Sequence, residues 1–488
     1  IDWVFAGDGD DYVDAGPDGD VTFGMSGNDV LIGGADDDRL IGDNGPGGTN
    51  EGGDYLDGGE GNDYLQGDGG NDVLIGGTGN DILAGGAGKD IYVFNRGDGT
   101  ETVFDTDVDA SSPDASVLVV GDGVNRSDVK FRVGSLAIDL GPSNPADSNS
   151  PHDVIHFQGF DQINPNATAP VGEIRFADGT SMSYADILAQ GFDIDGTEGN
   201  DNGEPDEPPM LVGTGVVDRI RGFGGNDILA GLAGDDSLDG GAGDDLIVAG
   251  AGADSLAGGL GADELQGGSG DDMLEGGDGA DLLFGDADDA ISNGNYGNDL
   301  LDGGSGNDQL QGNSGNDTLL GGEGNDVVFG FDGSDQLFGD DGGDTLSGEH
   351  GEDVIEGGAG DDYLYGDGYY LLFGIPYLNL LDDGASDTLR GGNGNDYLNS
   401  GAGDDVLEGG AGNDQLEAEG GNDALDGGDG ADNLLAGAAH DTLTGGGGDG
   451  DNLSGGVGND VYMFDLGDGR DKIWEVDDGT LERLVLRP

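Results

Sequence analysis

The residues able to do chemistry in this chain are aspartates, and their spacing is regular. The stretch Gly76-Gly77-Thr78-Gly79-Asn80-Asp81-Ile82-Leu83-Ala84 is followed nine residues on by Gly85-Gly86-Ala87-Gly88-Lys89-Asp90-Ile91-Tyr92-Val93. The sixth-position acid recurs at Asp11, Asp20, Asp29 and Asp38, then after a seven-residue insertion at Asp54, Asp63, Asp72, Asp81 and Asp90. A second run steps by nine from Asp218 through Asp227, Asp236, Asp245, Asp254, Asp263, Asp272 and Asp281. The next slot holds Ala290, and the phase resumes at Asp299, Asp308, Asp317, Asp326, Asp335, Asp344, Asp353 and Asp362. After a further insertion come Asp387, Asp396, Asp405, Asp414, Asp423, Asp432 and Asp441, and a one-residue slip precedes Asp451 and Asp460. Carboxylates at this fixed interval are hard oxygen ligands, and the glycine-rich backbone around them adds carbonyl oxygens. Calcium takes six to eight such ligands flexibly, whereas magnesium demands a tighter octahedron and sheds water reluctantly. The candidate calcium ligands are the aspartates from Asp29 to Asp90 and from Asp227 to Asp460; Ala6 to Gly19 matches the pattern only loosely, and Ala290 supplies no carboxylate.

The elements that must position these acids follow from the same period. An aliphatic residue stands two places after nearly every acid, as at Leu31, Leu65, Leu74, Leu83, Leu229, Leu238, Ile247, Leu310, Leu319, Leu398, Leu407 and Leu443. The first six positions of a unit read as a turn, because glycine tolerates backbone angles that a Cβ forbids. The last three read as a short strand with one inward apolar side chain. Such strands are stable only when stacked in parallel, two units to a coil with turns on opposite sides and coils about 4.8 Å apart. The longer run would then make ~12 coils, a rod on the order of 60 Å long. Stacked acids at that spacing repel by about 0.8 kcal/mol per neighbour even in bulk water. A cation is therefore expected to be a condition of folding. One ion per stacked pair of turns gives roughly 25–30 Ca2+, bringing the net charge of -90 to about -30 to -40. Carboxylates bound in this way should contribute stability above their unfolded pKa near 4 and lose it below.

Composition excludes several alternatives. The 488 residues carry 104 Asp+Glu against 14 Lys+Arg, which rules out a protein that tracks nucleic-acid phosphates. Cys is absent, so there are no disulfides, thiol nucleophiles or thiolate metal sites. No apolar run reaches the length of a transmembrane helix. Charge alone would predict disorder, but random acidic low complexity would not hold one phase over so many units or place a leucine two residues after each acid.

The G-G-x-G-x-D-x-L-x units resemble the haemolysin-type calcium-binding repeats of repeats-in-toxin (RTX) proteins, over residues 1–95 and 213–464. The resemblance implies an all-β fold, a parallel β-roll, with calcium in the turns. It also implies secretion from a Gram-negative bacterium through a type I apparatus, the chain crossing unfolded in low calcium and folding outside the cell. Each run closes on a similar phrase, Asp90-Ile91-Tyr92-Val93-Phe94 and Asp460-Val461-Tyr462-Met463-Phe464, in which a tyrosine takes the leucine slot. A solenoid's last coil must be covered, and a larger aromatic plug is a suitable cap.

The expected organisation is a first roll with its cap at 1–95 and a β-rich haemolysin-type-related domain at 96–200. A proline-containing linker at 201–212 follows, then a longer roll at 213–464 with an insertion at 363–386, and the start of a second cap module at 465–488. Within 96–195, strands are expected at 117–120, 129–133, 136–140, 154–157 and 173–176, with a short helix at 185–189. Because Ile1 falls inside a degenerate repeat and the second module stops at Pro488, the sequence reads as a segment of a longer protein.

Other motifs carry less. His152 and His156 are four apart on a strand, about 13 Å, too far to share an ion. His350 and His440 have no partner pattern. Arg96-Gly97-Asp98 spells a cell-attachment tripeptide, but the matching phrase in the second cap is Leu466-Gly467-Asp468, so the turn requires Gly-Asp rather than Arg. Asp105, Asp107 and Asp109 imitate an EF-hand opening, yet Ala110 and Ser116 stand where Gly and Glu are needed. The insertion 366–382 concentrates Tyr369, Tyr370, Leu371, Leu372, Phe373 and Ile375, which read either as a loop folding back into a small satellite core or as an exposed surface for self-association or a protein partner. No nucleophile with a base, phosphate loop or zinc spacing occurs, so the segment reads as non-catalytic. Calcium-driven folding of a secreted structural or adhesive protein is the expected function. The alternative is the calcium-dependent region of a larger toxin or hydrolase whose active domain lies elsewhere.

Overall fold

Leucines one period apart fall into parallel register. The computed structural model describes residues 1–43, 52–105, 115–121, 124–132, 136–143, 150–203, 210–286, 297–367, 371–372, 375–376, 384–448, 450–474 and 483–487. Among these residues it is almost entirely β, with one α-helix, Tyr184–Gln190. The chain forms two compact units, Ile1–Ile194 with Gly213–Arg219, and Asp195–Val212 with Ile220–Pro488.

In the first unit successive strands alternate between two parallel sheets, so that two nonapeptides make one coil. Val30–Ala35, Tyr55–Glu60 and Val73–Thr78 lie side by side in one sheet, with Leu31 opposite Leu56 and Leu56 opposite Leu74. Arg39–Asp43, Tyr64–Gly69 and Ile82–Ala87 do the same in the other, with Leu40 opposite Leu65 and Leu65 opposite Leu83. These leucines are fully buried and form one continuous core with Tyr92 and Phe94.

The nine-residue period ends there, but the sheets do not. Thr100–Phe104 adds to one sheet with Val103 opposite Leu83, and Val117–Val120 adds to the other with Leu118 opposite Tyr92. Beyond them His152–Phe157 and Glu173–Phe176 extend the two sheets in parallel. Antiparallel strands Leu136–Pro142, Lys130–Arg132 and Ser181–Ser183 then finish the edges. An apolar residue at the inward position is enough to continue the column after the repeat sequence has stopped.

The second unit repeats the design at greater length. Ser237–Ala242, Ser255–Leu260 and Met273–Asp278 are in register through Leu238, Leu256 and Leu274, while Leu246–Ala251 and Glu264–Ser269 pair in the other sheet. Insertions do not interrupt the ladders. Met273–Asp278 pairs with Leu300–Ser305, and Val354–Ala359 with Thr388–Asn393. The register therefore skips the whole unit around Ala290 rather than leaving a gap in the stack. Ala290 itself lies outside the described residues.

The strands are longer than the three residues expected from the pattern. Most run six residues, as in Ser255–Leu260, although three-residue strands recur late in the second unit, as in Gln415–Glu417. Pairing is broken at the first-position glycine and resumes at positions two and three, so that Gly241 faces Gly259 and Ala242 faces Leu260 while Gly240 and Gly258 are passed over. The second position can rejoin the ladder because Gly259 adopts φ +111°, a region open to residues without a Cβ.

With one leucine per unit, each is expected to matter. Leu256→Ala should cost about 2–5 kcal/mol of stability in calcium, as for other fully buried leucines. Ser255→Ala, at the neighbouring exposed position, should change stability by less than about 0.5 kcal/mol. Denaturant titration of both variants checks the contrast, and equal effects would contradict an inward column.

Candidate metal centres

The turns bury the acids. Every phased aspartate from Asp29 to Asp90 and from Asp227 to Asp460 is at most 4% exposed. What draws them in is a peptide group: along both rolls the backbone N–H of one aspartate donates to Oδ1 of the aspartate one coil further on, until the caps are reached. Asp63 N–H donates to Asp81 Oδ1 at 2.7 Å, Asp245 to Asp263 at 2.8 Å, and Asp254 to Asp272 at 2.8 Å. The bond persists across insertions, from Asp29 to Asp54 at 2.8 Å, Asp272 to Asp299 at 2.8 Å and Asp353 to Asp387 at 2.9 Å. The aspartate carbonyl is used as well, accepting from the first strand residue of the next coil, as Ser255 N–H does to Asp236 O at 2.9 Å. The turn thus hangs from the strand ladder by its own carboxylate.

The other oxygen has no such use. At Asp54, Asp63, Asp245, Asp263, Asp299, Asp308 and Asp344, Oδ2 is buried and meets no hydrogen-bond donor, and the pattern extends through both rolls. Its surroundings are further oxygens. A Cβ built on Gly303 would lie 2.7 Å from Asp308 Oδ2 and 2.7 Å from the carbonyl oxygen of Gly321 in the next coil. One built on Gly258 would lie 2.5 Å from Asp263 Oδ2 and 2.7 Å from Gly276 O. A side chain at the first position would fill this cradle, which accounts for glycine there.

A buried carboxylate oxygen beside a carbonyl requires either a proton or a cation. With 14 Lys+Arg for 104 Asp+Glu, the chain's own side chains cannot supply the charge. The donor set, carboxylate plus backbone carbonyl, suits calcium. Among the described residues no three Asp, Glu or His side chains gather closely enough to hold a metal by side chains alone. Any ion at these turns must therefore take part of its shell from the peptide backbone, and the acids do not form clusters of their own.

Burial sets the electrostatics of the metal-free turns. It pushes Asp54 up to about 7 and Asp335 to about 7, and Asp299 to about 8; the N–H bond from the preceding coil opposes the shift and neighbouring carboxylates add to it.

Several acids outside the sixth position also enter the turns. Asp43, Asp286 and Asp367 replace the second glycine of their units, immediately before residues 44–51, 287–296 and 368–370, which lie outside the described residues. Asp43 accepts from Gly52 N–H at 3.2 Å and Asp286 from Gly297 N–H at 3.4 Å, so each ties an insertion's two ends together. The signal was in the sequence, as Gly-Asp at the point where the period breaks. Asp201, 1% exposed, takes the sixth-position role in the restarting unit Gly196–Asp201, with its N–H on Asp227 Oδ1 at 2.6 Å.

The caps use hydroxyls. Tyr92 is buried, its oxygen accepting from Gly85 N–H at 3.1 Å and donating to Asp105 Oδ2 at 2.9 Å. Tyr462 accepts from Gly455 N–H at 2.7 Å in the same way. Ser116 takes the place of the next aspartate, its Oγ accepting from Asp90 N–H at 3.1 Å.

The remaining candidates are accounted for locally. His152 Nδ1 is 2.9 Å from Asp139 Oδ2, which Arg132 also approaches at 3.0 Å. His350 Nδ1 lies 3.0 Å from Asp332. Arg96 donates to Pro142 O at 2.8 Å and Asp98 is buried, so Arg96-Gly97-Asp98 is not presented to a receptor. Asp107 and Asp109 lie outside the described residues, as does most of the apolar insertion, of which Leu371–Leu372 pairs antiparallel with Ile375–Pro376.

Comparison with known families agrees with this geometry. The model of the RTX calcium-binding nonapeptide repeat matches residues 1–22, 19–46, 49–83, 66–101, 221–256, 257–291, 293–328, 311–346, 329–364, 382–416 and 417–451, well over half of the chain. No curated protein matches it significantly.

The raised carboxyls fix a pH dependence for the calcium-stripped chain. An aspartate with an ordinary value of 3.8 unfolded and about 7 folded binds more protons folded than unfolded between those values. Metal-free stability must therefore fall as pH rises through this window and grow as pH is lowered. The β signal in circular dichroism of the stripped chain should increase from pH 8 to pH 5; a signal that is flat or declines over that range would refute the assignment.

Proposed function

The chain belongs to the RTX calcium-binding nonapeptide repeat family, and on that premise we propose that its phased aspartates, Asp29 to Asp90 and Asp227 to Asp460, hold calcium between successive turns and so control when the chain folds. Calcium binding with a structural role is the family's property. The assignment of individual ligands is supported by one observation above all: a buried Oδ2 with no hydrogen-bond donor, set beside a glycine carbonyl of the next coil, at turn after turn. Each site would combine that carboxylate oxygen with backbone carbonyls. Roughly 25–30 ions would be taken up.

Such a chain is an expanded polyanion where calcium is scarce and a stack of coils where it is plentiful. This behaviour suits export in an unfolded state through a type I apparatus followed by folding outside the cell, and an extracellular structural or adhesive role. The apolar insertion 366–382 is the segment we assign to contact with a partner or a second copy. The alternative reading, a calcium-dependent region serving a larger toxin or hydrolase, uses the same folding device.

Calcium titration followed by circular dichroism tests the proposal. Excess chelator at neutral pH should leave little β structure, and added calcium should restore it cooperatively. Asp263→Asn removes one anionic oxygen while preserving the Oδ1 acceptor for Asp245 N–H. It should raise the calcium midpoint and cost about 1–3 kcal/mol in calcium. Glu275→Gln, on the exposed face, should leave the midpoint unchanged. A complete β spectrum in chelator at low ionic strength, or equal behaviour of the two variants, would overturn it.

A further inference from the structure

The last coil of the first roll departs from the aspartate rule at Glu101. This residue does not lie on the nine-residue phase, yet it occupies the sixth-position slot of the coil after Asp81. Thr102 N–H donates to Asp81 O at 2.8 Å, as the first strand residue does in every repeat, and Val103 stands opposite Leu83 in the leucine column. Glu101 is 1% exposed, and neither Oε1 nor Oε2 meets a donor; the side chain within hydrogen-bonding reach is the Asp81 carboxyl, another acceptor.

The extra methylene carries the carboxylate to a different place from that of the repeat aspartates. Over Gly303 and Gly258 the cradle holds one aspartate Oδ2 and the carbonyl of a glycine in the next coil. Over Gly76 the carbonyl's place is taken by Glu101 Oε2, 2.6 Å from where a Cβ would lie, and the other oxygen is Asp81 Oδ2. Asp81 Oδ2 is also buried without a donor. Two acceptor carboxylates thus face each other in a closed space, with Asp63 and Asp98 close enough to add further negative charge. At the equivalent slot of the second roll stands the shorter Asp471, which takes the N–H of Asp451 at 3.3 Å and keeps the ladder bond.

We propose that Glu101 and Asp81 form a cation site beyond the nonapeptide motif, a two-carboxylate site for calcium or another hard divalent ion that closes the first roll. It deepens the proposed function and rests on the reading that the repeat cradles hold calcium. Having two anionic side chains where a repeat cradle has one and a neutral carbonyl, it binds such ions more tightly than its neighbours. Its position gives it a structural consequence: Glu101 sits on Thr100–Phe104, which pairs with His152–Phe157 through Glu101 and Ile155. An ion there fastens the non-repetitive strands to the roll, extending calcium control past the last nonapeptide.

The test is crystallographic, on the full chain grown in calcium and in terbium, with anomalous difference maps. The expected result is a peak bridging Glu101 and Asp81 in addition to peaks at the repeat turns, and a terbium titration of one crystal form should fill the Glu101 position first. Glu101→Gln, isosteric and uncharged, should lose that peak while the repeat peaks remain. Filled repeat turns with no peak between Glu101 and Asp81 would overturn this site alone. Repeat turns without peaks would instead overturn the reading on which it rests.

Discussion

A carboxylate anchored by one oxygen and exposed to its neighbours' oxygens by the other is the interaction on which the rest of this structure depends. The bond from Asp245 N–H to Asp263 Oδ1, repeated from coil to coil, fixes where each turn sits. The same bond commits Oδ2 to a buried position with only acceptors nearby. Stability and the requirement for positive charge therefore come from one side chain and cannot be separated by mutation at another. The cost of leaving Oδ2 bare is borne at every coil, because a solenoid's terms add along its length. A cation at one turn neutralises a charge that also acts on its neighbours, as Asp272 and Asp317, both of which push Asp299 up, illustrate. Cooperative response to calcium follows from that adjacency.

The leucine column explains why charge must be dealt with at all. One aliphatic side chain per nine residues is a thin core for a coil whose remaining residues are largely glycine and acid. Glycine loses the most backbone freedom on folding, so the units that fit the cradles are also those most reluctant to order. Leucine gives direction, in that Leu256 opposite Leu274 sets the register, but it does not give surplus stability. An external ligand whose binding is linked to folding fills this gap in other small metal-stabilised units too.

Much of this was legible because a solenoid solves one local problem many times. Period, phase and the Asp–Leu offset identified the inward residue, the turn acid and two units per coil without any long-range information. What stayed hidden depended on contacts between coils. Pairing at positions two and three, which lengthens Ser255–Leu260 to six residues, needs a neighbouring backbone that also takes a positive φ at position two, usually at glycine but at Asn313 and Phe331 as well. The phase could mark Ala290 as lacking a carboxylate, but only the register shows that Asp272 N–H reaches past its unit to Asp299. Glu101 was invisible for a simpler reason: the segment between it and Asp81 is not nine or eighteen residues long, so no period points to it.

The ends of the first roll show how the rule is brought to a stop. A repeat turn needs an acceptor for the N–H coming from the previous coil and something to occupy the cradle beside Oδ2. On one edge both needs are met by neutral hydroxyls, Ser116 accepting from Asp90 N–H and Tyr92 packing beside Gly85. On the other they are not: Glu101 brings a further charge into the cradle over Gly76 and leaves both its oxygens without a donor. A hydroxyl fills its cradle without adding charge, Tyr92 donating its hydrogen to Asp105, whereas a carboxylate adds one more negative group. The two edges of one coil thus differ in kind. The hydroxyl edge ends with a neutral group in its cradle, and the Glu101 edge ends with a second carboxylate.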